Sequence, residues 1–396
     1  MRPGHPHTEA VSPALLVPIG ILALFGTLLY RRLVRAPGYR RRGLRLGAAL
    51  TLAVLAAAVV VGFAYQAGAL DGRAARLVGA LGMTWLATAF YLLLGTAVGA
   101  LGALALRLAR RGPEARRAWH RRSVPVIVAG SLLVTVYGLV EARRLAVTEA
   151  TVEIAGLSPQ LDGYRVAVVS DLHVGPVRGA DLTAEVVELT NAAEADVVLL
   201  VGDLTDGTTA QFGEVLAPLA DLAAPDGVYA VTGNHEYYAG DAQGWVELWS
   251  TLGVRPLLNE AVAVLEGGAT LHLAGVSDPT GAESAYAGDA GLAPDLAAAL
   301  AFRRPEDTTV LLSHQPGAAD DPLVSEAGVD LIVSGHTHGG QIWPFTLLVP
   351  LANPTVAGLD EIGGTTAYTT RGAGTWGPPT RVLVPPEVSV LTLTAG

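Results

Sequence analysis

The hydrophobic pattern divides the chain in two. Over the first 145 residues, runs with no polar face alternate with short arginine-rich breaks; the runs are 14–30, 46–70, 77–106 and 124–140. Each meets or approaches the length that crosses a bilayer, and helices apolar all round would have no face to offer water in a soluble bundle. The pattern predicts four membrane spans. The first has the length of an uncleaved anchor or a signal peptide, and an anchor is expected, because its basic cluster follows the apolar stretch, the wrong flank for a cleaved signal. From Thr151 onward the period changes. Short apolar runs, many closed by Gly, Asp, Asn or His, alternate with segments of helical spacing. Strands are predicted at 165–170, 196–201, 227–231, 254–258, 261–266, 270–275, 308–312 and 330–333, with more strand at 367–370 and 381–393. Helices are predicted at 181–193, 211–222 and 245–252. The expected organisation is an N-terminal transmembrane region over 1–145 and an α/β domain over 146–396.

Charge sharpens this division. Residues 1–150 hold nineteen of the 26 basic residues and five of the 36 acidic ones, a formal +14, while the rest of the chain carries −24. Seven arginines follow the first apolar run (Arg31 to Arg45) and seven follow the third (Arg107 to Arg122). The opposite side holds Arg2, Arg73, Arg76, Arg143 and Arg144. The excess of arginine places the two rich loops in the cytoplasm. Four spans then put both termini, and the whole C-terminal domain, outside a multi-pass cell-membrane anchor; a miscounted span is expected to invert this. The spans show no pattern of buried acids or bases that would mark a transport path. Residues 1–13, with His5 and His7, read as a polar tail.

Composition removes several chemistries. There is no lysine and no cysteine, which excludes a P-loop lysine, a Schiff base, a thiol nucleophile, a thiolate metal site and disulfides. The acidic C-terminal part argues against nucleic acid as a partner. Residues 372–377 match a dinucleotide fingerprint by spacing, but Pro378 and Pro379 stand where its helix must open, so that context fails.

What remains is concentrated at strand ends. Five predicted strands close, in order, on Asp171-x-His173, Asp203, Asn234-His235, His314 and His336-x-His338. The carboxyl ends of neighbouring strands in an open α/β sheet converge on one edge. Carboxylate and amide oxygens mixed with imidazoles suit a borderline divalent metal such as Mn, Fe or Zn. Seven groups, with one carboxylate shared, suffice for two ions about 3.5–4 Å apart, a spacing that clamps a phosphoryl group.

The segments Ser170-Asp-Leu-His173, Gly202-Asp-Leu-Thr-Asp206, Gly233-Asn-His-Glu236, Ser313-His-Gln-Pro316 and Gly335-His-Thr-His-Gly-Gly-Gln341 resemble the calcineurin-like metallophosphoesterase superfamily. The Gly-Gly-Gln ending, with Arg371-Gly-Ala-Gly-Thr-Trp-Gly377, is similar to its membrane-anchored bacterial branch. The resemblance covers about residues 145–396 and implies a four-layer α-β-β-α sandwich. It further implies that Asp171, His173 and His338 hold one metal, that Asn234, His314 and His336 hold a second, and that Asp203 bridges them. A bridging hydroxide would attack phosphorus, and His235 would act as general acid or as a donor to the phosphoryl charge.

Four neighbours carry weaker expectations. Asp206 and Glu236 stand where they can orient imidazoles, or serve as ordinary turn acids. Arg178 and Arg371 can pair with a substrate phosphate or form surface ion pairs. Trp343 and Trp376 suit a hydrophobic entrance or the core, and His272 lies in a strand as a structural residue. Substrate choice is expected from the loops 236–245, 276–292 and 342–366. The expected function is hydrolysis of a phosphodiester or pyrophosphate bond in a small or lipid-linked phosphate substrate. The alternatives are a broad-specificity phosphomonoesterase and a metal-dependent binding or scaffold module.

Overall fold

The computed structural model describes all residues except 1–12, 176–177, 284–291, 302–303 and 305–306. The expected tail with His5 and His7, and part of the 276–292 loop, lie outside the described residues. The chain divides into two compact units. One comprises Met1–Phe63 and Val78–Val136, the other Ala64–Leu77 and Tyr137–Gly396.

The helices are α1 (Pro13–Tyr30), α2 (Arg42–Gln66), α3 (Arg73–Leu108) and α4 (Pro113–Glu141). Three helices among the described residues, not the four expected, are long and apolar enough to cross a membrane: α2, α3 and α4, of 25, 36 and 29 residues. The first expected span falls in α1, whose 18 residues include Pro18. Small residues let the helices of this unit approach closely. A Cβ on Gly82 would lie 2.2 Å from the Ala58 carbonyl carbon. Trp119 donates its indole N–H to Gly99 O at 2.8 Å, and the Thr88 and Thr135 hydroxyls meet at 3.1 Å.

The second unit is built on two mixed sheets of six strands. The strands are β1 (Ala146–Ile154), β2 (Arg165–Val169), β3 (Val197–Val201), β4 (Val228–Val231), β5 (Arg255–Pro256), β6 (Glu260–Glu266), β7 (Ala269–Gly275), β8 (Thr308–Leu312), β9 (Leu331–Ser334), β10 (Gly358–Ile362), β11 (Thr365–Thr369) and β12 (Glu387–Ala395). The first sheet runs β1-β12-β2-β3-β4-β5 and the second β10-β11-β9-β8-β7-β6. β2, β3 and β4 are mutually parallel, as are β7, β8, β9 and β11; β12 lies antiparallel to β2 and parallel to β1.

The two-residue period of the strands explains the burial. Val166, Val168, Val197, Leu199 and Val201 of the first sheet share one apolar cluster with Val310, Leu312, Leu331 and Val333 of the second. Their alternates Ala167, Val169, Val198 and Leu200 face away, into a cluster with Val186 of α5 (Ala180–Ala192) and Trp245 and Trp249 of α8 (Ala242–Thr251). On the second sheet Leu311 and Ile332 join Ala299 and Val324 of two short helices. Strands buried on both faces read as unbroken apolar runs, which is why they were visible in the sequence.

The differences from expectation have local causes. The helix expected over 211–222 is α6 (Thr209–Phe212) followed by a 3₁₀ segment, Gly213–Asp221, that contains Pro218. The strand expected from 381 starts at Glu387, because Pro385 and Pro386 cannot donate to a ladder. β1 and β10 were not anticipated. Both are edge strands with exposed positions and lack the apolar run that marks the central ones.

Candidate metal centre

Every predicted ligand sits just past the carboxyl end of a parallel strand. Asp171 and His173 follow β2, Asp203 follows β3, Asn234 and His235 open α7 (Asn234–Tyr238) after β4, His314 follows β8, and His336 and His338 follow β9. Five of them (Asp171, His173, Asp203, His336 and His338) have positive φ between 45° and 69°. Such angles are uncommon for residues with a side chain and mark sharp turns at functional loops. Gly335 allows two of these turns to meet: a Cβ there would lie 2.1 Å from Ser170 Oγ and 2.4 Å from Asp171 Oδ2. With that space open, the His336 N–H donates to the Asp171 carboxylate at 3.1 Å.

The side chains form three overlapping groups of potential metal donors: Asp171, His173 and His338; Asp203, His314 and His336; and His173, Asp203 and His235. His338 Nε2 lies 3.4 Å from Asp171 Oδ1, and the Nε2 atoms of His173 and His338 face each other at 3.0 Å. Asp203 Oδ2 lies 3.1 Å from His314 Nε2 and 3.6 Å from His173 Nε2. His314 Nε2 is buried and has no hydrogen-bond partner despite that short distance, so its direction does not suit an N–H···O bond. Facing imidazole nitrogens and a buried, unpartnered ring nitrogen beside a carboxylate are what a bound cation resolves. The donor set fits two divalent ions.

Electrostatics agree. Burial alone would raise Asp171, Asp203 and Asp206, but the surrounding histidines more than offset it and hold all three carboxyls below the usual range. Burial opposes charge on His314, yet Asp203 pulls its pKa up to about 10; His173 is likewise raised, chiefly by Asp206. The acids call for positive charge, and protonated imidazoles or metal ions are alternative ways to provide it. Burial lowers His336 to about 4, helped by His314, and lowers His338 as well, so both present neutral imidazoles.

A set of buried groups holds these donors. Asp206 Oδ1 accepts from Nδ1 of His173 at 2.9 Å and faces Nδ1 of His235 at 2.6 Å. Glu236, fully buried, accepts from the backbone N–H of Gly233, Asp203 and Leu204 at 2.7, 3.1 and 2.8 Å, and so ties two ligand loops together. Burial and the Asp203 charge raise its pKa to about 7. His314 Nδ1 bonds Val201 O at 2.7 Å, and His336 Nδ1 meets Asn234 Oδ1 at 2.9 Å. Arg371 pairs with Glu387, and Arg178 donates to Ala142 O, so protein groups already engage both guanidinium groups. His235 is 11% exposed and packs edge-on to His173, Tyr238 and Trp376. Trp343 is 49% exposed. His272 pairs with Asp307 at 3.0 Å, away from the centre.

Sequence reasoning missed Arg381, which is fully buried. It donates to Gly374 O, Arg371 O and Gly372 O at 2.8, 2.7 and 3.1 Å and faces His338 Nδ1 at 3.3 Å. No local signal marks it, because its partners are mostly carbonyls brought in by folding.

Strand-end acids and imidazoles in adjoining groups define a metal-dependent hydrolase of the α/β class. The chain belongs to the calcineurin-like metallophosphoesterases: residues 164–340 match the family described as calcineurin-like phosphoesterase. It is 33% identical over 309 residues to a Danio rerio "transmembrane protein with metallophosphoesterase domain", covering 77% of this chain and 70% of that one. Its Bos taurus counterpart is 37% identical over 290 residues, covering 71% and 64%. An uncharacterized metallophosphoesterase of Aquifex aeolicus is 32% identical over 266 residues, covering 66% of this chain and 97% of the relative. With three membrane-length helices and transmembrane relatives, this is a membrane protein.

Proposed function

We propose that the protein is a membrane-anchored, dinuclear-metal phosphoesterase that hydrolyses a phosphodiester or pyrophosphate bond in a lipid-linked molecule. The observation that carries this reading is Asp203, whose one oxygen lies within 3.6 Å of a ring nitrogen in each ligand group. Asp171, His173 and His338 would hold one ion, Asn234, His314 and His336 the other, with Asp203 shared. Two such ions make water acidic enough to ionise near neutral pH and neutralise phosphoryl charge. His235 has its Nδ1 against Asp206, which leaves Nε2 to protonate or hydrogen-bond the leaving oxygen.

The lipid-linked substrate is supported by the surface that follows His338. Trp343, Phe345, Leu347, Leu348 and Leu351 are all exposed, Leu351 by 82%. An exposed run of large apolar side chains beside a polar centre suits an acyl chain better than water. The extracytoplasmic side is supported by arginine bias. The rich segments precede α2 and join α3 to α4, so the 67–72 turn and everything after α4 lie opposite them. A change in the status of α1 therefore moves only the N-terminus and does not invert the catalytic unit. The turn 64–77 belongs to that unit, as a common side requires.

The test uses the full chain in detergent, stripped of metal and resupplied with Mn, on bis-aryl and mono-aryl phosphates. Diester turnover should exceed monoester turnover. Asp203→Asn should lower it on the order of a thousandfold, and His235→Ala on the order of a hundredfold with Mn still bound. Leu347→Asp should slow a vesicle-borne lipid pyrophosphate several-fold without affecting the soluble ester. Faster monoester turnover would replace this reading with a monoesterase, and metal binding without any turnover would leave a binding module.

A further inference from the structure

Asp206 is the hinge between the two roles proposed for the centre, since its Oδ1 holds both the ligand His173 and the acid His235. Two contacts to one oxygen leave a carboxylate free to turn about its own axis. What fixes it is the other oxygen: Oδ2 accepts from Gln66 Nε2 at 2.7 Å. Gln66 is the last residue of α2, 140 positions away in the sequence. Asp206 is only 2% exposed, so without this donor Oδ2 would face a site with little water to replace it.

The position of Gln66 is built, not incidental. The turn after α2 is docked on the catalytic unit by neighbours on both sides. Tyr65 is buried in the same cluster as Val169 and Trp245 and packs on Phe212 with ring centroids 6.0 Å apart. Gln211 Nε2 donates to Asp71 Oδ1 at 2.7 Å. Gln66 Oε1 is itself buried and makes no hydrogen bond, so Asp206 is the partner that holds this amide.

We infer that Gln66 is a positioning residue: a hydrogen bond from the end of α2 fixes the Asp206 carboxylate and, through it, the rings of His173 and His235. The catalytic unit is complete only with the α2–α3 turn in place. This inference rests on the metallophosphoesterase reading for its kinetic arm but not for its metal-binding arm.

The experiment compares full-length wild type, Gln66→Ala, Gln66→Glu and Gln211→Ala in detergent. The last variant loosens the turn without touching Asp206. Mn titration of the stripped protein should show about tenfold weaker binding for Gln66→Ala and a larger loss for Gln66→Glu, which sets a carboxylate against a carboxylate. Turnover of an aryl phosphate series should show a lower kcat at unchanged KM, with the loss growing as the leaving group becomes more basic. Gln211→Ala should alter neither. A Gln66→Ala protein with wild-type Mn affinity and wild-type leaving-group dependence overturns the inference. So does an equal, uniform loss in Gln66→Ala and Gln211→Ala, which would make the turn a structural prop. If wild type turns over no ester, the function reading fails, and the Mn titration still decides the role of Gln66.

Discussion

The two ligand groups meet at Asp203 but stand on different supports. Behind His173 and His338 the supporting groups are charged. Asp206 holds the first ring; Arg381 backs the second and donates to Arg371 O, and Arg371 is paired with Glu387. Behind His314 and His336 the supports are neutral, a backbone carbonyl at Val201 and the amide of Asn234. Charged supports in a dry interior bind tightly but fail steeply when one partner is lost, because the other is left as an uncompensated charge. Neutral supports cost less to break and do not titrate. The two ions, one with the Asp171 carboxylate and the other with the Asn234 amide in its set, are therefore expected to differ in how they respond to mutation and to pH.

The largest expected effect breaks the charged side. Arg381→Met removes the donor from three carbonyls within 3.1 Å and withdraws the group facing His338 Nδ1. Leaving these buried carbonyls without a donor should cost at least roughly 1–3 kcal/mol of unfolding free energy and, by loosening the segment behind His338, weaken the first ion about tenfold. Arg381→Lys should not restore it, since a point charge cannot reach several carbonyls at once. Denaturant unfolding and Mn titration read both, and wild-type stability in Arg381→Met would show that the charged support is idle.

A smaller effect is expected on the neutral side. Asn234→Ala removes a proposed donor to the second ion and also frees the His336 ring, whose Nδ1 meets the amide oxygen at 2.9 Å. The second ion should bind about 10–100-fold more weakly, equivalent to roughly 1.4–2.7 kcal/mol, while the first is held within about twofold. A two-step Mn titration separates them. Equal weakening of both steps would mean that the supports are coupled through Asp203 and that the contrast is one of degree.

How much of this was legible follows from how local each feature is. A buried parallel strand writes itself as an apolar run, and a ligand at its end is the next Asp, Asn or His, so Asp171, Asp203, His314 and His336 stood out in the sequence. Their supports did not. Arg381 lies in a proline-rich tail and Gln66 at the end of a helix that reads as a plain membrane span; each gains its meaning from partners far along the chain. Arg178 and Arg371 are a mixed case. Their types and positions suit a substrate phosphate; folding also gives them Ala142 O and Glu387 as partners, which the sequence did not show. The first apolar run was judged on its apolar composition alone, although Pro18 stands inside it in the sequence.

The smallest expected effect is a pH dependence of the support on the charged side. Burial would raise the Glu387 carboxyl, but the backbone N–H and guanidinium of Arg371 more than offset it and hold the folded-state pKa below the ordinary 4.5. A group depressed in this way stabilises the fold above its unfolded pKa, and that stabilisation is lost as pH falls through the folded value. Glu387→Gln should therefore be less stable than wild type at pH 7, by roughly 1.5–3 kcal/mol for a hydrogen bond to a charged group. The gap should narrow as pH drops below about 4.5, where wild type itself begins to protonate. Asn234→Ala also acts on a titrating ring, since its partner His336 is lowered to about 4, so its difference from wild type should change over this range through the ring rather than through the support. Thermal unfolding of metal-stripped protein between pH 7 and 3.5 compares the two directly. A Glu387→Gln gap that stays constant with pH would mean that the Arg371 pair contributes shape rather than charge, and the two supports would then differ only in which atoms they touch.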